Sequence, residues 1–229
     1  MKLEPLGDSA VVATLGSGID EATMAAVLEF SETVVAARKS GITDVVPAYA
    51  TVTVFYDPLH FPSESGDSYD AVCQFLETCS ARPTNAPFQW ESRLVELPVF
   101  YGSDHGPDMA FVAEHTKLSP EEVASLHASA VYLVHAIGFT PGFPYLGGLP
   151  EALRTPRRDT PRARVPAGSV AIGGAQTGVY SVESPGGWQI IGRTPVRLFR
   201  PQEKQAALLR PGDRVRFKPI SRAEFESWK

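Results

Sequence analysis

Gly168-Ser169-Val170-Ala171-Ile172-Gly173-Gly174-Ala175-Gln176-Thr177-Gly178-Val179-Tyr180 and Ser184-Pro185-Gly186-Gly187-Trp188-Gln189-Ile190-Ile191-Gly192-Arg193-Thr194 decide the fold of the second half of this chain. Both are short β-branched pieces punctuated by glycine and proline, with no helical period between them. From Gly138 onward the chain keeps this character, and Pro211-Gly212-Asp213 followed by Arg214-Val215-Arg216-Phe217 predicts a hairpin-like closing strand. The expectation is a β-barrel or sandwich with a few helices.

Working outward, Val131 to Ile137 is an apolar, β-rich run, and Leu94 to Phe100 is a strand followed by a short helix near Pro107-Asp108. Ser119-Pro120-Glu121-Glu122 predicts a helix start, with serine as N-cap, proline in the first turn and glutamate three residues after the cap. The first ninety residues alternate instead. A strand at Ala10 to Leu15 precedes a helix that starts at Asp20 or Glu21, carries Met24, Val27, Leu28, Val34 and Val35 on one stripe, and stops at Gly41. Thr51 to Tyr56 predicts a strand closed by Asp57-Pro58, and a second helix begins near Ser68. The polar, turn-rich Ala81-Arg82-Pro83-Thr84-Asn85-Ala86-Pro87 reads as a linker. We therefore expect an α+β protein of two domains, an α/β sandwich over 1–86 and a β-barrel over 87–229.

Composition bounds the function. The 229 residues are 43% hydrophobic and 21% charged, as in an ordinary globular protein. A net charge of -5 gives no general attraction to nucleic acid or to an anionic membrane, so any anion site must be local. No signal-like or membrane-spanning apolar stretch is visible, which predicts a soluble cytoplasmic protein. Cys73 and Cys79 fall on the second helix about 120° apart, so they should neither pair nor share a metal. No His-x-x-x-His, Cys-x-x-Cys, phosphate-binding loop or dinucleotide fingerprint occurs, and no metal site is expected.

Eleven of the nineteen glycines lie between Gly138 and Gly192, a density that suits either a site shaped by backbone or a barrel with many tight turns. Three features there carry chemistry. Phe139, Pro141, Gly142, Phe143 and Tyr145 interleave flat rings with stiff and permissive backbone, as a pocket wall or an aromatic core plug would. Arg154, Arg157, Arg158, Arg162 and Arg164 supply guanidinium forks that suit carboxylates or phosphates, or a solvated loop or interface. The paired glycines Gly173-Gly174 and Gly186-Gly187 are candidate amide donors for an oxyanion, with Gln176 beside them and Tyr180, Pro185 and Trp188 as walls.

Gly138-Phe139-Thr140-Pro141-Gly142-Phe143-Pro144-Tyr145-Leu146, Pro156-Arg157-Arg158 with Pro161-Arg162, Pro166-Ala167-Gly168-Ser169-Val170, and Ser184-Pro185-Gly186-Gly187-Trp188 with Gly192-Arg193-Thr194-Pro195 occur in that order. With them the sequence resembles the family that holds the 5-oxoprolinase B subunit, allophanate hydrolase subunit 1 and a sporulation kinase inhibitor. Gly7-Asp8, Val46-Pro47-Ala48-Tyr49, Tyr56-Asp57-Pro58 and Gly106-Pro107-Asp108 extend the likeness over nearly the whole chain. The resemblance implies that the second domain is cyclophilin-like. It implies a role beside a homologous C subunit, together with a large A subunit, in converting the cyclic amide 5-oxoproline to L-glutamate with ATP hydrolysis, with no ATP site located in this chain. On that reading Arg158, Arg162 and Gln176 are the catalytic candidates. Phe139, Pro141, Gly142, Phe143, Tyr145, Gly173, Gly174, Tyr180, Pro185, Gly186, Gly187 and Trp188 would bind substrate. The same family leaves two alternatives, a binding protein that inhibits a sensor histidine kinase and a hydrolase component acting on allophanate or urea.

Overall fold

The computed structural model describes residues 1–61, 67–81 and 90–228. The chain divides into two compact units, Met1–Glu91 and Ser92–Lys229. The expected boundary between 86 and 87, and most of the expected linker, lie outside the described residues.

The first unit is a four-stranded antiparallel sheet with two helices. Its elements are β1 (Lys2–Pro5), β2 (Ala10–Thr14), α1 (Glu21–Ala36), β3 (Ile42–Ala48), β4 (Thr51–Tyr56) and α2 (Ser68–Ser80), and the strand order is β1-β2-β4-β3. β2 and β4 are the inner strands, and the strict alternation of β4 puts one of its faces in the core. Val52, Val54 and Tyr56 are buried, and they pack with Val11 and Ala13 of β2 under Val27, Phe30 and Val34 of α1. Asp20 caps α1 by accepting from the Thr23 amide at 2.8 Å. The helix ends earlier than Gly41, with Ala37 as its cap and Arg38 at φ 45°. Gly41 serves the following turn instead. At φ +87° a Cβ there would lie 2.7 Å from the Phe61 Cα, so glycine lets the chain enter β3 under that residue. Cys73 and Cys79 on α2 form no disulfide.

The second unit is a closed barrel. β5 (Leu94–Tyr101), α3 (Met109–Thr116) and α4 (Pro120–Ser129) lead into β6 (Val131–Ile137) and β7 (Pro144–Gly147). The chain continues through β8 (Arg162–Val165), β9 (Ser169–Gly173), β10 (Gln176–Val179), β11 (Ser184–Gly186), β12 (Gln189–Arg193), β13 (Arg214–Pro219) and α5 (Arg222–Glu226). Seven strands close in the order β10-β7-β6-β13-β5-β12-β9, while β8 and β11 form a separate antiparallel pair. The last strand is not a hairpin arm. β13 runs parallel to β5 from Arg214 beside Leu94 to Pro219 beside Val99, and antiparallel to β6, so it closes the barrel between elements far apart in sequence. Buried Asp213 anchors it by accepting from Arg93 and from the Arg210 amide.

α4 begins with the expected capping box, Ser119 and Glu122 each bonding the other's backbone amide. It carries His127 into the core, where the imidazole is fully buried and stacks on Phe217 at 4.6 Å. Thr177 Oγ1 donates to the Ala171 carbonyl at 3.0 Å, so it accepts from His127 Nε2 at 2.8 Å, leaving Nδ1 to accept from Tyr101 at 2.8 Å. Burial lowers the His127 pKa from 6.5 to about 3. Between those values the unfolded chain binds a proton that the folded chain does not. Stability is therefore present in full above about pH 6.5 and falls with decreasing pH, by about 2 kcal/mol from this residue at pH 5. Urea unfolding at pH 7.5 and 5.0 should show that loss in the wild type and a smaller one in His127→Gln; equal slopes for both would show that His127 is not its source.

Candidate functional site

β7, β10, β11 and β12 and their connections bring one group of aromatic rings together. Phe143, just before β7, is 2% exposed and sits at the centre. It meets Tyr145 at 5.0 Å, Tyr180 at 5.3 Å, Phe139 at 5.6 Å and Trp188 at 5.6 Å between ring centroids, all edge to face. The glycines make this packing sterically feasible. A Cβ on Gly173 would lie 2.5 Å from Trp188 Cδ2 and Cε2, and one on Gly186 would collide with Tyr180 Oη. Gly173 thus gives the indole its seat against β9, and Gly186 gives the phenol its seat against β11.

These rings border an open cavity of about 290 Å³, with Phe139, Phe143, Tyr145, Tyr180 and Trp188 in its lining. Arg157, Arg158, Pro161, Pro185, Gly186 and Gly187 complete it. Phe139 stands at its edge, 62% exposed and at φ 65°, in the connection between β6 and β7. Burial pushes the Tyr180 phenol above its ordinary value, while a backbone hydrogen bond from Trp188 and the charges of Arg157 and Arg162 act the other way.

Asp108 organises the cationic side. It is 4% exposed, at the start of α3, and one of its oxygens accepts from the Ile190 amide at 2.7 Å. Arg162 reaches both carboxylate oxygens, at 2.9 and 2.7 Å, and Arg158 reaches one at 3.1 Å. The Arg158 backbone amide also donates to the Gly187 carbonyl at 2.7 Å, which ties the arginine loop to the cavity rim.

Several expected site residues have other positions. Arg162 does not line the cavity, and its guanidinium is bound at both nitrogens by Asp108. The Gly174 amide donates to the Thr155 carbonyl at 2.8 Å, a Cβ on Gly173 would meet Trp188, and neither glycine of this pair lines the cavity. Gln176 lies in β10 opposite Gly173, outside the lining. Pro141 and Gly142 shape the Phe139 loop: the Pro141 carbonyl accepts from Ser181 at 2.6 Å, and Gly142 adopts φ +77°. Sequence reading passed over Pro161 and Asp108 as site residues, and it named Arg157 only as one member of the arginine cluster. All three stood in quoted motifs, but Asp108 in Gly106-Pro107-Asp108 carried a helix-start signal and no sign of the arginines it holds.

Among the described residues, no group of three His, Cys, Asp or Glu side chains is placed to hold a metal ion, and no helix is long and apolar enough to cross a membrane. Residues 1–209 match the carboxyltransferase domain, subdomain C and D family. This chain belongs to that family. Within this carboxyltransferase-domain family, the chain is similar to the 5-oxoprolinase B subunit of Bacillus subtilis (strain 168), at 40% identity over 232 residues, covering 100% of this chain and 96% of that protein. The Haemophilus influenzae protein of the same name is 41% identical over 217 residues, covering 95% and 97%. The crystal structure of TTHA0988 shares the fold with a TM-score of 0.78 at 38% identity over 93% of this chain. This chain spans 40% of that longer one.

Proposed function

We propose that this chain is the B subunit of an ATP-dependent 5-oxoprolinase. It would work in the cytoplasm with a large A subunit, joined by a homologous C subunit, to open 5-oxoproline to L-glutamate with ATP hydrolysis. The observation that carries the reading is the aromatic cavity rimmed by Arg157 and Arg158, in a chain about 40% identical along its length to proteins named as the B subunit of 5-oxoprolinase. 5-Oxoproline is a five-membered lactam with one carboxylate. Its ring faces suit the Phe143, Tyr145 and Trp188 walls, and its carboxylate suits a guanidinium fork.

Size supports the same assignment. A volume near 290 Å³ lies just below the usual range of ligand pockets, roughly 300 to 1,000 Å³, and favours a single ring over a nucleoside triphosphate. ATP is consumed by the assembled enzyme, and this cavity is not read as its site. The lactam oxygen gains negative charge as the amide is activated. Arg158 is the side chain of the cavity best held to meet that charge, since Asp108 and the Gly187 carbonyl fix its position. The barrel is read as cyclophilin-like from the family resemblance of its motifs.

The test is 5-oxoproline-dependent ATP hydrolysis and glutamate formation with this chain by itself, with only the A and C subunits present, and with all three. Activity only in the complete mixture is the expected result. A well-formed complex without turnover would move the assignment to an allophanate or urea substrate, or to inhibition of a histidine kinase.

A further inference from the structure

The arginines near the cavity are not equivalent. Arg162 commits two nitrogens to Asp108, and Arg158 commits one to Asp108 while its Nε faces the Thr160 carbonyl at 3.4 Å. Arg164 is paired with Glu183, and Arg154 with Glu151. Arg157 differs from all four. It lines the cavity with its guanidinium 5.6 Å from the centroid of the Trp188 ring, and no carboxylate among the described residues pairs with it.

We propose that Arg157 is the specificity-determining cation of the cavity, binding the carboxylate of a small cyclic acid whose ring packs on the aromatic walls. Asp108 is the internal counter-ion that keeps Arg158 and Arg162 from competing for that carboxylate. A guanidinium over an indole face keeps its edge N–H groups free, which is the geometry for two-point binding of a carboxylate. Arginines already held by a buried carboxylate have fewer donors left and a partly neutralised charge. The apolar walls disfavour an unpaired anion, so a ligand carboxylate that enters needs a cation nearby, and Arg157 is the one without a carboxylate of its own.

The choice of 5-oxoproline as probe rests on the function proposed above. With the complete enzyme assembled from all three chains, KM for 5-oxoproline should rise about tenfold to a hundredfold in Arg157→Gln, acting mainly on KM and much less on kcat. Arg157→Lys should recover part of the loss. Inhibition by 2-pyrrolidinone, the same ring without the carboxylate, should be equal in wild type and Arg157→Gln. An unchanged KM would overturn the proposal, as would an equal loss of affinity for the acid and the neutral ring, which marks a structural role. If the wild-type complex does not turn over 5-oxoproline, the functional reading fails separately. Calorimetric titration of the full chain with cyclic carboxylic acids and their amides then decides on Arg157: a preference for the acids that Arg157→Gln abolishes supports it, and no such preference in the wild type contradicts it.

Discussion

Asp108→Ala is expected to lose about 3 kcal/mol of stability and most of the activity of the assembled enzyme. The carboxylate is 4% exposed and receives three guanidinium bonds and one backbone amide. Removing one partner of a buried ion pair costs about 3 to 5 kcal/mol, because the other charge stays desolvated. Here the lower end applies, since the Arg162 and Arg158 side chains are 24% and 36% exposed and can recover some hydration. The Ile190 amide loses its side-chain acceptor as well, and the arginine loop loses the tie that holds it to the start of α3. Asp108→Asn keeps the shape and one acceptor oxygen, so its loss should be clearly smaller. Urea unfolding of both variants measures this directly; an alanine variant as stable as the wild type would mean that the network adds nothing to the fold.

Trp188→Ala should have a comparable effect for a different reason. The indole is 6% exposed, packs against Phe143 and Tyr145, and sits on the bare face of Gly173. Large aromatic-to-alanine changes in cores cost about 3 to 5 kcal/mol through lost burial and the space left behind. The space left by Trp188 joins an open cavity that water can enter, so about 3 kcal/mol is expected from that range. Affinity should fall more than stability suggests, because Trp188 is both a wall and the surface on which Arg157 lies. Trp188→Phe should restore most of the stability and only part of the affinity. Equal affinity in the alanine variant and the wild type would remove the ring from the binding site.

What could be read from the sequence depended on range. The α4 capping box and the alternation of Thr51 to Tyr56 were legible because their signals lie within a few residues. β3 was missed because Pro47 and Asp44 interrupt its pattern, although Pro47 lies on the outer strand of the sheet, where a missing N–H is tolerated. β1 was missed too, at four mostly exposed residues. The parallel pairing of β13 with β5 joins residues about 120 apart, and no local pattern encodes it.

The site divides in the same way. The aromatic walls were legible because ring and glycine alternate in one short stretch, and rings in such a stretch have few places to go. The arginine cluster was visible as charge, yet its members could not be told apart. Their difference is set by Asp108, which is 50 and 54 residues from Arg158 and Arg162. The Gly173-Gly174 pair read as an amide donor because paired glycines leave backbone open. In the folded chain that opening is filled by Trp188 and by the Thr155 strand contact.

The central claim is that the lactam binds in the barrel cavity of this chain. Nuclear Overhauser transfer between the ring protons of 5-oxoproline and the aromatic protons of Phe143, Tyr145 and Trp188, recorded in the complete complex with selectively labelled aromatics, tests it most directly. Transfer to these rings that disappears in Trp188→Ala is the expected result. Bound 5-oxoproline with no transfer to any of the three would place the substrate elsewhere and contradict the account.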